Sequence, residues 1–454
     1  MNNLPQNYTV MFRFAASIGL LALLIGLGCQ RQTPTAPVTP TEVVANFPNI
    51  RIDSSAGLFA TGPCEPSIAI SPVDSNIVVA GAILDRVYYS SNGGITWKKK
   101  TLTSPFGVYG DPVLLADAKG DFYYAHLSDP SGRSGGDPTW LDRIVVQKST
   151  DNGVNWSPGT YAGLHHPKDQ DKHWLAVDPR DNSIVMTWTE FDKYDSREPK
   201  DKSRILFARS SDGGKTWGDE ASLSQLEGDC LDDDNTTEGA VPAIGPHGEI
   251  YVAWAYANKI YFDRSLDAGK TWLATDKIVA DQPGGWTFDI PGIYRANGLP
   301  ITATDLSQGP NRGTIYVNWC DQRHGTNDTD VWLAKSTDGG NTWSAPLRVN
   351  NDGAGNHQFF TWLAVDPVTG YLYVVFYDRR NHEDDKTDVY LAYSKDGGKT
   401  FVNAKISQSP FLPTKDVFFG DYNHLSVHNG RVRPIWTRLQ DGKLSVWTAL
   451  VRLK

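Results

Sequence analysis

Short apolar runs rich in β-branched and aromatic residues recur along most of the chain, each bounded by Gly, Asp, Asn, Ser or Pro. Examples are Val87-Tyr88-Tyr89, Ile144-Val145-Val146, Ile205-Leu206-Phe207, Ile260-Tyr261-Phe262, Val331-Trp332-Leu333 and Val389-Tyr390-Leu391. Two more such runs precede each of the later ones. Trp174 to Val177 and Ile184 to Trp188 come before the third, and Trp362 to Val365 and Tyr371 to Phe376 before the sixth. The pattern predicts an all-β chain built from repeated four-stranded units, A to D. Composition agrees: 15 Trp, 19 Tyr and 17 Phe stand against 3 Met, with 42 Gly and 27 Pro to make turns. With 40% apolar and 21% charged residues, the 454-residue chain has enough apolar material for a packed core.

Between strands C and D lies a repeated octet of the form S-x-D-x-G-x-T-W. Its copies are Ser90 to Trp97, Ser149 to Trp156, Ser210 to Trp217, Ser265 to Trp272, Ser336 to Trp343 and Ser394 to Phe401. Asn92 replaces the Asp, Asn155 the Thr and Phe401 the Trp in one copy each. In such a turn the Asp carboxylate accepts backbone N–H bonds, the Gly supplies positive φ, and the aromatic residue starts the next strand. These octets are read as scaffold.

The octets resemble the Asp-box (BNR) repeat of sialidases and related β-propellers. The resemblance implies a single propeller over residues 43–454. After the sixth box three runs remain (His424 to Val427, Val432 to Trp436, Leu444 to Ala449), and a D strand is missing. The stretch from Val43 to Ile52 is expected to supply it, which favours seven blades over the six of the sialidase family. Closing a ring in this way removes exposed sheet edges.

In that topology the segments leading into strand A and leaving strand B share one mouth of the channel, and the boxes lie at the other. Acids and arginines crowd the predicted mouth. Asp111, Asp171, Glu190 and Glu238 are candidate catalytic carboxyls, because paired carboxyls can divide acid and base roles. His173, Arg295, Arg323, Arg379, Tyr422 and Arg438 are candidate substrate-binding residues, since arginines grip carboxylates in pairs of hydrogen bonds. Glu65, Lys172, Asp421 and His424 also fall at mouth positions. The resemblance to sialidases does not reach their catalytic signature: where that family carries an arginine in a Phe/Tyr-Arg-Ile-Pro motif, this chain reads Gly62-Pro63-Cys64-Glu65-Pro66. Asp232-Asp233-Asp234 offers oxygen ligands suited to Ca²⁺, against a plain solvated acidic loop.

The amino terminus reads as an address. Phe14 to Gly28 is an apolar run too short to span a membrane, and Leu24 to Cys29 resembles a bacterial lipoprotein cleavage box, with Gly26 where the box usually has Leu. Residues 1–28 are then a signal peptide, Cys29 the lipid attachment site, and 29–42 a Thr/Pro-rich tether. The resemblance implies an exported, lipid-anchored protein of the cell envelope, in the outer membrane of a Gram-negative host, meeting the membrane through its lipid. Cys64, Cys230 and Cys320 allow at most one disulfide. A net charge of −9, with no basic run longer than Lys98-Lys99-Lys100, disfavours nucleic acid. Three roles stay open: an enzyme that cleaves a glycosidic bond, a non-catalytic module that binds glycan or protein, and a scaffold for a protein partner.

Overall fold

A computed structural model describes residues 47–453, apart from 59, 60 and 136. The expected signal peptide, lipid-attachment residue Cys29 and tether lie outside the described residues. Seven antiparallel four-stranded sheets form a ring of blades. Blades 1 to 6 each run A-B-C-D in chain order over residues 67–101, 113–162, 169–222, 238–281, 301–348 and 358–405. Their A strands are Ser67–Ile70, Val113–Ala116, Asp169–Val177, Glu238–Ile244, Ile301–Thr304 and Gln358–Val365. Blade 7 takes His424–His428, Arg431–Gln440 and Lys443–Ala449 from the carboxyl end, and its outer strand, Asn49–Ser54, from the amino end. Ile50 pairs with Thr448 and Ser54 with Ser445, so the two ends of the chain lock the ring. Seven blades, not six, is therefore the outcome.

Each box folds as its chemistry demands. In the fifth, the Gly340 amide bonds Ser336 Oγ at 2.8 Å, and Asp338 accepts from the Thr342 amide at 3.0 Å and the Thr342 hydroxyl at 2.6 Å. Gly340 has a φ of +85°, and a Cβ there would lie 2.3 Å from the Phe262 ring of the preceding blade. Glycine thus serves both the turn and the seam between blades. The box tryptophans fill these seams: Trp272 packs edge-on against Phe207 and Trp343 against Phe262, with centroids 5.0 and 5.1 Å apart. Cys64, Cys230 and Cys320 are buried free thiols.

The inner strands converge on an axis stoppered by aromatic rings. Trp362 lies 4.3 Å from Trp174 and 4.4 Å from His424, and Tyr422 is 5.1 Å from Trp174. His424 accepts from the Ile68 amide at 3.2 Å, and burial holds it neutral, with its pKa lowered to about 3. One cavity, lined mainly by Ile, Leu, Val and Pro, lies toward the box end of this stopper, and another, lined by charged side chains, toward the other end.

Because blade 7 depends on a strand from the far end of the chain, removing residues 1–54 should bare the edge Lys443–Ala449. The expected result is a fall in thermal midpoint on the order of 5–10 °C for a few kcal/mol lost, with self-association, measured by calorimetry and size-exclusion chromatography. An unchanged midpoint and a monomeric profile would show that this strand does not close the ring.

Candidate functional site

The site is built by a recurring backbone device. The residue two positions before the continuously paired inner stretch, which begins at Ser67, Val113, Trp174, Val241 or Trp362, has positive φ in five blades: Glu65 (51°), Asp111 (49°), Lys172 (53°), Gly239 (71°) and Phe360 (50°). In blades 3, 4 and 6 this residue sits in a register shift of the A–B ladder, between Asp171 and Trp174, Glu238 and Val241, and Phe359 and Trp362. Such bulges re-aim side chains at the rims of closed sheets. Glu65, Asp111 and Asp171, at or just before these positions, gather with Asp421, which leads into blade 7, around one opening, with Glu238 buried nearby.

That opening is a cavity of about 270 Å³, lined by Glu65, Asp111, Asp171, Lys172 and Arg295, with Tyr109, Trp140, Tyr194 and Phe418 as aromatic walls. Trp140 meets Tyr109 and Tyr194 edge-on, at 5.7 and 5.9 Å. Arg295 bonds Asp421 through two nitrogens, Nε to Oδ1 at 2.7 Å and Nη2 to Oδ2. It also reaches Asp232 at 3.4 Å and stacks over Phe418 at 5.1 Å. Lys172 Nζ lies 3.4 Å from Asp421, 3.6 Å from Asp171 and 4.0 Å from Asp232. The Tyr194 hydroxyl donates to Asp232 at 3.1 Å.

Six carboxyls (Glu65, Asp111, Asp171, Asp232, Glu238 and Asp421) thus share two cations, and proton affinities split accordingly. Burial would raise Asp421, but Arg295 and Lys172 overcome it and hold it below the usual range. Burial would lower Lys172, but Asp171, Asp232 and Asp421 outweigh it and keep the ammonium charged. Burial raises Asp171 to about 7; Lys172 opposes the rise, and Asp111 and Asp232 add to it. Asp111 is raised by burial; Lys172 opposes the rise and Asp421 adds to it. Glu238 is fully buried with no hydrogen-bond partner for either oxygen, and burial, then the neighbouring Asp232, raises it well above the ordinary range. Glu65 is raised well above the ordinary range, by burial and then by Asp111.

Of the candidate residues, Asp111, Asp171 and Arg295 line the cavity together. Glu238 lies behind Asp232. His173 and Tyr422 face a small internal void beside Asp111 and Asp421. Burial lowers His173 to about 4, and the Tyr422 hydroxyl has no partner.

The remaining candidates lie elsewhere. Glu190 is held by His165 at 2.5 Å, Lys168 at 2.7 Å and Arg204 at 2.9 Å, outside the cavity. Arg323 pairs with Asp321 and lies 4.2 Å over Trp332. Arg379 stacks on Phe359 at 5.3 Å and bonds Asp385 at 3.1 Å. Arg438 bonds the Ser409 hydroxyl and the Pro410 carbonyl, both at 3.1 Å. The expectation that these four face the mouth is corrected for one reason: strand B is one step out from the axis, so residues at its end enter the packing between and around the blades.

The acidic loop is a further correction. Asp232 belongs to the central cluster, Asp233 accepts from the Asn235 amide, and Asp234 accepts from the Thr287 amide. The three do not converge on a cation. Among the described residues, the group whose ligand atoms come within metal-binding reach of one another is instead His324, Asp328 and Asp330. The residues that sequence reasoning passed over as functional are Glu65, Lys172 and Asp421, all at mouth positions, and the walls Tyr109, Trp140 and Tyr194, whose loops carry no motif.

These features define a class, the Asp-box β-propeller with a polar axial cavity. The BNR/Asp-box repeat model matches residues 88–99. A xyloglucanase of Paenibacillus sp is 26% identical over 344 residues, 73% of this chain and 29% of that protein. A sialidase of Bacteroides fragilis (strain YCH46) is 24% identical over 313 residues, 63% of this chain and 52% of that one. The chain thus spans about a third and about half of these relatives. A solved polysaccharide lyase, an ulvan lyase, superposes with a TM-score of 0.51 at 13% identity, covering 88% of this chain and 96% of the lyase. The chain is a β-propeller that carries BNR/Asp-box repeats and is similar in sequence to a sialidase.

Asp171 gives a pH test. Its folded-state pKa is raised, so its stabilising contribution is complete below about pH 4 and is lost as pH rises through about 7. Wild-type thermal midpoints should fall between pH 5 and 8, by up to about 1.4 kcal/mol of stability per pH unit per proton. Asp171→Asn, which mimics the neutral acid, should flatten that slope. Parallel curves for the two proteins would remove the assignment.

Proposed function

We propose that this chain binds a glycan in the axial cavity and cleaves it by acid–base chemistry. The observation that carries the reading is the gathering of Glu65, Asp111 and Asp171 on one cavity walled by aromatic rings, where burial raises the proton affinity of all three. A carboxylic acid still protonated near neutral pH can protonate the oxygen of a leaving sugar. As the carbon–oxygen bond breaks, Asp171 gives up its proton. The oxygen of an incoming water bonds the sugar carbon as its proton passes to ionised Asp111, and transfer of that proton back to Asp171 restores the starting state. Tyr109, Trp140 and Tyr194 offer apolar faces to the C–H surface of a sugar ring. The relatives named as a xyloglucanase and a sialidase support a glycan as the ligand class.

We also propose, from the Cys29 box and the tether, that the propeller is exported and held to the cell envelope by lipid. Labelled palmitate should enter the wild-type protein and not Cys29→Ser. Equal labelling, or none in either, would remove the anchor.

The test of cleavage is incubation of the purified protein with a broad panel of polysaccharides and oligosaccharides, with products followed by mass spectrometry. Turnover of at least one member is expected. Asp171→Asn and Asp111→Asn should each lower it by roughly 10²- to 10⁴-fold, the usual contribution of a positioned acid or base. Glu190→Gln, remote from the cavity, should stay within about threefold where it remains folded. Glycan binding without turnover would favour the non-catalytic module instead.

A further inference from the structure

We infer that the axial cavity takes an uncharged glycan and rejects one that brings a carboxylate into it, because both cations on its lining are already bound to carboxylates of the chain itself. The inference rests on the glycan reading above and narrows it.

A site built to hold an anionic sugar presents an arginine whose paired donors are open to the ligand. Arg295 does not. Nε and Nη2 grip Asp421, Nη1 faces Asp232 at 3.4 Å, and the plane lies against Phe418. Asp421 is itself fixed, because its backbone carbonyl accepts from Asn297 at 2.9 Å and its Oδ2 also faces Lys172. Lys172 is buried among Asp421, Asp171 and Asp232. The other charged or acidic groups on the lining, Glu65, Asp111 and Asp171, are carboxyls.

An incoming carboxylate would lose its water and find no cation free of a carboxylate partner. To bind it, Arg295 would have to leave Asp421, and a buried ion deprived of a partner is costly. Sugar hydroxyls face no such cost. They can donate to Glu65 and Asp111 and accept from the acid proton of Asp171. The Trp140 indole N–H and the Tyr422 hydroxyl, both buried and without partners, are further donors at or beside the cavity.

The experiment uses matched oligosaccharides that differ in charge: galactan against galacturonan fragments, and lactose-terminated glycans with and without sialic acid, alongside xyloglucan oligosaccharides. Turnover is read by mass spectrometry and binding by calorimetry, for wild type and for Asp421→Asn. At least one neutral member should be cleaved, with its anionic counterpart at least 100-fold poorer in kcat/KM. Asp421→Asn opens the Arg295 fork, and should narrow that ratio by tenfold or more.

A wild-type preference for an anionic member would overturn this inference and leave the glycan-cleaving reading standing. Neutral members bound but not cleaved would uphold the ligand class and remove the cleavage. No binding of any member, by protein that melts cooperatively, would remove both. A folded Asp421→Asn with an unchanged ratio would overturn the role of Asp421. Should that variant not fold, the wild-type ratio decides alone, and Arg295→Gln gives an independent check: it should not selectively weaken anionic members.

Discussion

Lys172 lies among three carboxylates that reach it from different parts of the ring. Asp171 comes from its own strand, Asp232 from the loop into blade 4 and Asp421 from the segment into blade 7. The insertion that carries Arg295 adds a fourth element to the same cluster. Removing one member would strand buried charge on the others, a loss of roughly 3–5 kcal/mol for a buried pair. The geometry of the mouth hangs on this knot. It joins the bulged segment of blade 3 to the segments that enter blades 4 and 7, shifts the proton affinities of the carboxyls around it, and ties the one lining arginine to Asp421.

The two ends of the axis follow different rules. At the box end, contacts are local: Ser, Asp, Gly and Thr of one octet satisfy each other, and the tryptophan reaches only into the adjoining seam. At the mouth, nearly every contact joins residues far apart in the chain, such as Arg295 with Asp421. The rings of Trp174, Trp362, Tyr422 and His424 separate the two ends. The acids on the mouth side are thereby kept from water along the axis, which raises most of their proton affinities. The result is a set of carboxyls with unlike proton affinities, from Asp421 held below the ordinary range to Glu238 held well above it.

The fold was readable to an unusual depth because its determinants are short-range. Six octets mark the C–D turns, apolar runs mark the strands, and the missing last strand required the amino end to close the ring. The site was readable by position only. Asp111, Asp171 and Arg295 lie where segments lead into strand A, and the structure brings them to one cavity. Arg323, Arg379 and Arg438 carry the same chemical promise, yet residues at the end of strand B are spent on Asp321, Phe359 and Ser409. Tyr109, Trp140 and Tyr194 had no signal at all, because loops of no common length deliver them.

Local hydrogen bonding and the period of the repeat therefore determined the architecture, since each blade is specified by residues within a few tens of positions. Pairing decided the chemistry. Which carboxyl keeps its proton, and whether an arginine is open or spent, depends on groups that meet only at the axis: Arg295 and Asp421 are 126 residues apart, and Lys172 and Asp421 are 249 apart. Electrostatic energy falls off with distance in space and is set by burial. Neither quantity is written along the chain until the ring closes.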